Sequence, residues 1–364
     1  LKNIFKGDIT KIIKFGKLQS YKNMTIIPLI LEGDEANFMT IKEAELQDAS
    51  YISEQESASV SELEVVNTSN IPILIPFGHT ISGGKQDRVI YQPLLVPPTK
   101  EGKTIPIPSR CVEAGRWSFE LENSVEIASG GGDKRKFKSA KVRLNPSIMS
   151  NAMKEEVDSQ GSIWGGIEAQ MSAFGQAAEK NVSRSYNKLA NDQKERVEKY
   201  LLHFKDVENQ CGVAVFINGR LNAIEFYGNK KGWKDVRNET LNGFIMEAIL
   251  RMDKEEESKD DLKSNEDYWK KVSDSLAEAK MTFEEEKQDK GLGSVVHFGT
   301  EDGKWSGITL MHKEKLCQFY LVAKSALPKS DRGPMQVQEF RNVEIDLEQQ
   351  RFRSNRDDLD DLYR

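Results

Sequence analysis

The sequence runs to 364 residues, 38% hydrophobic and 30% charged, with 52 Lys and Arg against 58 Asp and Glu for a net charge of −6. That size and apolar content support one large or two ordinary packed domains, and the acidic balance excludes a surface built as a whole for nucleic acid or an anionic membrane. Any anion site must therefore be local, and Cys111, Cys211 and Cys317, widely spaced and odd in number, argue against a disulfide framework or a structural zinc site and fit a reducing cytoplasm.

Residues 1–19 are basic and lack the apolar core of a secretory signal, and no stretch reaches the apolar length of a membrane span, so neither export nor membrane insertion is expected. Residues 24–31 read as an apolar strand in which Pro28 favours an edge or bulge position. A strand at 38–41, a short helix at 42–48 and an extended stretch at 51–56 follow. Residues 64–77 supply two strands around a turn at 68–70, the second ending at Gly78. Residues 89–96 are strand-like, Pro97 and Pro98 break them, and 105–107 resume the pattern.

Two polar motifs flank this strand-rich stretch. The first is Ser82-Gly83-Gly84-Lys85-Gln86-Asp87-Arg88 and the second Arg110-Cys111-Val112-Glu113-Ala114-Gly115-Arg116-Trp117. Gly83 and Gly84 let main-chain N–H groups approach a ligand, while Lys85 and Arg88 add charged donors suited to phosphate or carboxylate. Gln86 offers a neutral donor and acceptor for a ribose or base edge, and Trp117 a flat apolar wall for a ring. The spacing is not that of a Walker A loop, which needs a leading glycine and a Ser or Thr after the lysine. Glu113 suits a general base or water-positioning role and Arg116 a stabiliser of developing negative charge, the alternative being a structural salt bridge beside a core tryptophan. His79, next to the first motif, is a candidate acid or base. Cys111 reads as a buried thiol rather than a nucleophile.

These two motifs resemble those of the ARG and rhodanese-phosphatase-superfamily-associated protein (ARPP) family, and residues 210–215 and 291–293 are similar in order and kind. The resemblance extends from about Tyr21 to Ala323. It implies an ADP-ribose-like or other phosphorylated nucleotide ligand, through the family's association with ADP-ribosylglycohydrolase-type and rhodanese-phosphatase-type domains. The resemblance also implies an acidic residue where this chain has His79, so that His79 would have to take over any proton transfer made there.

Beyond the second motif, residues 119–128 alternate weakly before Gly130-Gly131-Gly132. The basic run Lys134, Arg135, Lys136, Lys138, Lys141 and Arg143 reads as a solvated loop, from which Arg143 is the residue expected to reach the anion site. Asn145-Pro146 marks the change from strands to helices. Ile163, Ile167, Met171 and Phe174 share one helical face, as do Val197, Leu201 and Phe204. Residues 211–217 and 221–227 form a hairpin about Asn218-Gly219, and Val236, Leu241, Phe244, Ile245 and Ile249 mark a further helix. Ser264 with Asp267 resembles a capping box. Gly291-Leu292-Gly293 reads as a loop, since no helix obviously follows it for a dinucleotide fold. Strands at 294–298, 305–311 and 316–323 complete an antiparallel meander, and the polar tail carries Asp357, Asp358, Asp360 and Asp361.

The expected protein is α+β, with a β-rich, antiparallel N-terminal half at 1–144, an α+β region at 145–328 packed on it, and a polar tail at 329–364. The expected function is a cytoplasmic hydrolase or transferase acting on an ADP-ribose-like nucleotide, with no metal or cofactor implied. The alternative is a non-catalytic nucleotide sensor or assembly subunit of a bacterial stress or defence system. A homo-oligomer or protein partner through helical faces or the acidic tail fits either reading; a nucleic-acid or membrane partner fits neither.

Overall fold

The computed structural model describes residues 12–54, 63–84, 86–99, 103–113, 124–126, 135–153, 159–175, 184–252, 262, 264–278, 282–288, 291–300 and 302–324. Within them the chain is α+β, strand-rich to about residue 143 and then helical with a C-terminal antiparallel meander. A nine-stranded sheet carries the larger core. Its centre is strand β3 (Met24–Leu31) beside β15 (Gln210–Ile217), β16 (Arg220–Tyr227), β20 (Lys315–Ala323), β19 (Trp305–His312), β18 (Ser294–Gly299) and β17 (Thr282–Lys287), in that order. On the other edge of β3 lie two short strands, β1 (Ile13–Phe15) and β2 (Gln19–Tyr21).

The first strands thus belong to the same sheet as the last ones. Pro28 sits inside β3 without breaking it because the flanking strands stop there. Its carbonyl accepts Gly16 N–H at 2.8 Å, and the N and O of a strand residue point the same way, so its missing N–H faces the gap between β1 and β2. On the β15 side the register slips nearby, between Gln210 and Gly212. The β15–β16 turn has Asn218 at φ 52° and Gly219 at φ 77°, the left-handed pair a two-residue hairpin requires.

A second sheet of eight strands runs β11 (Ile105–Ile107), β6 (Leu63–Asn67), β5 (Ser50–Glu54), β14 (Arg135–Arg143), β8 (His79–Ser82), β9 (Arg88–Ile90) and β12 (Ser109–Cys111), with β13 (Ser124–Glu126) also paired to β14. A three-stranded unit of β10 (Leu94–Val96), β7 (Ile73–Ile75) and β4 (Met39–Thr40) packs below α1 (Ile41–Leu46). Helices α2 (Pro146–Ala152), α3 (Ser159–Ala173), α4 (Tyr186–Asp192), α5 (Lys194–Leu201) and the long α6 (Lys230–Met252) contribute to the core shared by all three sheets; α7 (Asn265–Glu278) packs on the other face of the nine-stranded sheet. At the start of α7, Ser264 N–H donates to Asp267 Oδ2 at 2.8 Å and Asp267 N–H to Ser264 Oγ at 3.2 Å, the reciprocal pair of a capping box.

The two strands expected in 64–77 are present, as β6 and β7, and do not pair with each other. Asn67, fully buried, donates to the carbonyls of Ile71 and Val96 and accepts from Ser69, and this turn sends β6 and β7 into different sheets. Residues 89–96 are likewise two strands, β9 and β10, divided at Tyr91–Pro93. The basic run is no loop but the interior strand β14, held between β8 and β5, with Phe137 and Arg143 buried. The strands β1, β2 and β17 and the helices α2 and α4 are further elements that periodicity did not mark.

Candidate functional site

The glycine motif leaves β8 at Ser82 and re-enters the sheet as β9 at Arg88. Gly83 has φ +105°, open to glycine and strained for other residues, and a Cβ on Gly84 would lie 3.0 Å from Glu54 Oε1, so neither position accepts a side chain easily. Lys85 lies outside the described residues. Gln86, Asp87 and Arg88 are buried, and Arg88 Nη1 donates back to the Gln86 carbonyl at 3.0 Å.

The second motif arrives on β12, which pairs antiparallel with β9 so that Cys111 faces Arg88. Two residues later the chains are tied together. Val112 N–H donates to the Asp87 carbonyl at 2.9 Å, and Asp87 N–H donates to Glu113 Oε2 at 3.2 Å. The two motifs therefore meet, with the Glu113 carboxylate set on the backbone of the glycine turn. Residues 114–117, and with them Arg116 and Trp117, lie outside the described residues, as do the glycines at 130–132.

Two amides that sequence reasoning missed hold this junction. Gln160 on α3 accepts Cys111 N–H and donates to the Cys111 carbonyl, both at 2.8 Å, in the manner of a neighbouring strand. Asn187 on α4 donates to Asp87 Oδ2 at 2.6 Å and Ser82 Oγ at 2.8 Å and accepts from Thr80 Oγ1 at 3.2 Å, spanning the mouth of the glycine turn. The preceding Tyr186 donates its N–H to the Val112 carbonyl at 3.1 Å and its hydroxyl to the Arg143 carbonyl at 3.1 Å. Helix α4 thereby fastens both motifs and β14 at once. No local pattern signals this, because the partners lie between 43 and 107 residues away.

His79 and Arg143 face each other at the opposite end of β8, three residues or about 10 Å from Ser82. Arg143 is fully buried, paired through Nη1 with Glu225 Oε2, and its guanidinium lies 4.5 Å from the Tyr320 ring and 5.2 Å from that of Phe244. Glu225 Oε1 accepts from Tyr227 and from Gln318 Nε2, each at 2.9 Å, and Gln318 Oε1 accepts Phe77 N–H at 2.9 Å. Burial pushes the Glu225 carboxyl up, opposed by the Arg143 charge and by those hydrogen bonds. Burial, then the Arg143 and Lys42 charges, hold the His79 imidazole well below its usual value, so it is neutral at neutral pH. Its Nε2 lies 3.4 Å from Thr240 Oγ1. Glu225, an acid in the mostly apolar strand β16, is a sequence signal for this network.

Cys111 is buried, and burial pushes the Cys211 and Cys317 thiols up to about 12. Among the described residues no group of three or more His, Cys, Asp and Glu side chains is gathered to hold a metal ion, and no helix is long and apolar enough to cross a membrane.

The class this defines is an α+β protein in which a glycine turn and an acid-bearing strand end are locked together at one edge of a sheet. The family model of the ARG and Rhodanese-Phosphatase-superfamily-associated Protein domain matches residues 12–322, and the chain belongs to that family. No curated protein and no solved structure matches it.

Proposed function

We propose that the joined motifs form the site of a cytoplasmic enzyme that binds a phosphorylated nucleotide derivative of the ADP-ribose or NAD type and hydrolyses or transfers at its phosphate or glycosidic linkage. The observation that carries this reading is the hydrogen bond from Asp87 N–H to Glu113, which sets a carboxylate on the backbone of the glycine turn. In this reading Lys85, Arg88 and Arg116 hold anionic oxygens, Gln86 meets the ribose or base, and Trp117 takes the ring. Glu113 does the proton work as base. His79, neutral and about 10 Å along β8 from Ser82, and Arg143, paired with Glu225, stand behind the site and act on it through their field, not by direct contact.

Incubation with NAD, ADP-ribose and cyclic nucleotides, reading thermal shift and product together, tests it. Wild type should bind and turn over one of them, and Glu113→Gln, whose amide oxygen still accepts Asp87 N–H, should bind without turnover. A flat result on all of them overturns the reading. One observation favours the non-catalytic alternative: Gln86, Arg88 and Glu113 are each only 3% exposed, which suits a sensor or assembly subunit better than a site open to turnover. Binding without product by the wild type, with a change of oligomeric state, would select it.

A further inference from the structure

One edge of the nine-stranded sheet carries a surface that the motifs do not use. Strand β2 runs beside the end of α5 and the turn after it, in the opposite direction. Gln19 Nε2 donates to the Lys205 carbonyl at 3.0 Å, and Gln19 Oε1 accepts Lys205 N–H at 2.5 Å. Two residues on, the Tyr21 ring stacks on His203 with centroids 3.7 Å apart and meets Tyr200 edge-on at 4.9 Å. Lys22 Nζ then lies 5.6 Å and 5.8 Å from the ring centroids of Tyr21 and Tyr200. The Tyr200 hydroxyl donates to Asn23 Oδ1 at 2.9 Å and Asn23 Nδ2 donates to Asn218 Oδ1 at 3.0 Å, which pins this surface to the Asn218-Gly219 end of the sheet.

Lys17, Lys22, Lys199 and Lys205 are exposed along this line, and none of the four pairs with a carboxylate among the described residues. Lys205 Nζ donates to the Leu202 carbonyl at 3.0 Å. Of the neighbouring acids, Glu198 lies 3.9 Å from Lys194 Nζ and Asp206 lies 3.7 Å from Arg237 Nε, which leaves Glu195 and Glu208 against the four lysines. Leu202, 70% exposed, stands next to His203 and is one of two large apolar side chains left to solvent among the described residues. A line of cations with an apolar side chain in it suits an acidic segment that carries leucines. The chain's own tail has that composition: Asp357-Asp358-Leu359-Asp360-Asp361-Leu362-Tyr363, flanked by Arg356 and Arg364. The topology starts that tail at the same place. Met24 pairs with Ile217, Ile217 with Arg220 and Ala223 with Val322, so the start of β3 and the end of β20 lie at one end of the sheet, three strand spacings or about 14 Å apart. The 32 residues 325–356 reach up to about 100 Å when extended, several times that gap.

We propose that this stripe is the docking surface for residues 357–363 of the same chain, the aspartates lying on Lys17, Lys22, Lys199 and Lys205 and a leucine on Leu202. Exposed charge pairs are individually weak, and tethering supplies what they lack, because the effective concentration of a segment in the same chain does not fall on dilution. An acidic segment of another protein then reaches the stripe only by displacing the tail. The proposal is independent of the reaction assigned to the motifs.

Carbodiimide, which joins a carboxylate to an amine in direct contact, and peptide binding test it on the full-length protein. At micromolar concentration wild type should give crosslinks within one molecule from Asp357, Asp358, Asp360 or Asp361 to Lys22, Lys199 or Lys205, lost in about 0.5 M salt. A fluorescein-labelled peptide of residues 355–364 should bind saturably to the full-length variant in which those four aspartates are changed to Asn. It should bind at least fivefold more weakly to wild type, whose own tail competes, and at least tenfold more weakly when Lys199→Glu and Lys205→Glu are added to the Asn variant. Changing the two lysines to Gln instead should lose less, and thermal melts confirm that each variant is folded. The proposal is overturned by absence of those crosslinks, by crosslinks formed only between molecules, by equal peptide affinity of wild type and the Asn variant, or by binding indifferent to the lysines. Tighter binding of a short oligo-dT than of the peptide to the Asn variant would also overturn it, by assigning the stripe to single-stranded nucleic acid.

Discussion

The Arg143–Glu225 pair joins two sheets, since Arg143 ends β14 of the eight-stranded sheet and Glu225 lies mid-strand in β16 of the nine-stranded one. Changing Glu225 to Gln leaves the Arg143 guanidinium fully buried without a counter-charge, and the remaining side of that group is the Tyr320 and Phe244 rings. Breaking one half of a buried pair costs about 3–5 kcal/mol, whereas replacing both halves by uncharged groups of similar volume is often near neutral. For a chain of this size roughly 2 cal/mol/K per residue of unfolding entropy converts that into a fall in Tm of about 4–7 °C. Urea denaturation and thermal melts of Glu225→Gln, Arg143→Met and the double variant supply the cycle. The double variant should recover at least half of the loss of either single one, a coupling of about 4 kcal/mol or more. Additive losses, or a loss below about 1 kcal/mol in Glu225→Gln, would refute the reasoning, because the pair would then contribute no more than an exposed one.

Other consequences follow from the same contacts. His79 has its folded-state value lowered, so the unfolded chain binds the extra proton first: stability should be full above the unfolded value near 6.5 and fall as pH drops below it, with a slope of at most about 1.4 kcal/mol per pH unit. Replacing His79 by Gln should flatten that part of a urea-midpoint profile, and an unchanged profile would show that the histidine titrates alike in the folded and unfolded chain. At Gly78, φ is +79° and an added Cβ would lie 2.9 Å from Arg143 Nε, so Gly78→Ala should cost about 1–3 kcal/mol by combining backbone strain with displacement of the guanidinium. A stability equal to wild type would contradict that. Asn187→Ala removes a donor from both Ser82 and Asp87 and should cost about 1–3 kcal/mol, with faster hydrogen exchange at the Asp87 and Val112 amides; exchange unchanged there would mean that the helix does not hold the turn.

How far the sequence reveals this molecule depends on the range of each interaction. The Asn218-Gly219 hairpin, the Ser264–Asp267 capping box and the C-terminal meander are written within a few residues, and each is where its local chemistry puts it. The meeting of the two motifs was only permitted by the sequence, because it depends on β9 choosing β12 as partner across eighteen residues of intervening chain. The basic run misled for a related reason. Lys and Arg are common on solvated loops, yet β14 is an interior strand whose Phe137 faces the core and whose Arg143 finds Glu225, eighty-two positions away.

That last case bears on the candidate site itself. A buried cation and a buried acid each look out of place when read singly, and only strand register shows that they neutralise one another. The same logic governs Asp87 and Glu113, whose acceptors meet Asn187 and a main-chain N–H supplied by distant elements. Polar side chains in this fold are thus placed by the pairing of strands rather than by the motifs that contain them. A substitution that shifts the β9–β12 register by one residue would therefore move Glu113 off the Asp87 amide while leaving both motifs intact in sequence, and activity of such a variant would separate the role of the residues from the role of their alignment.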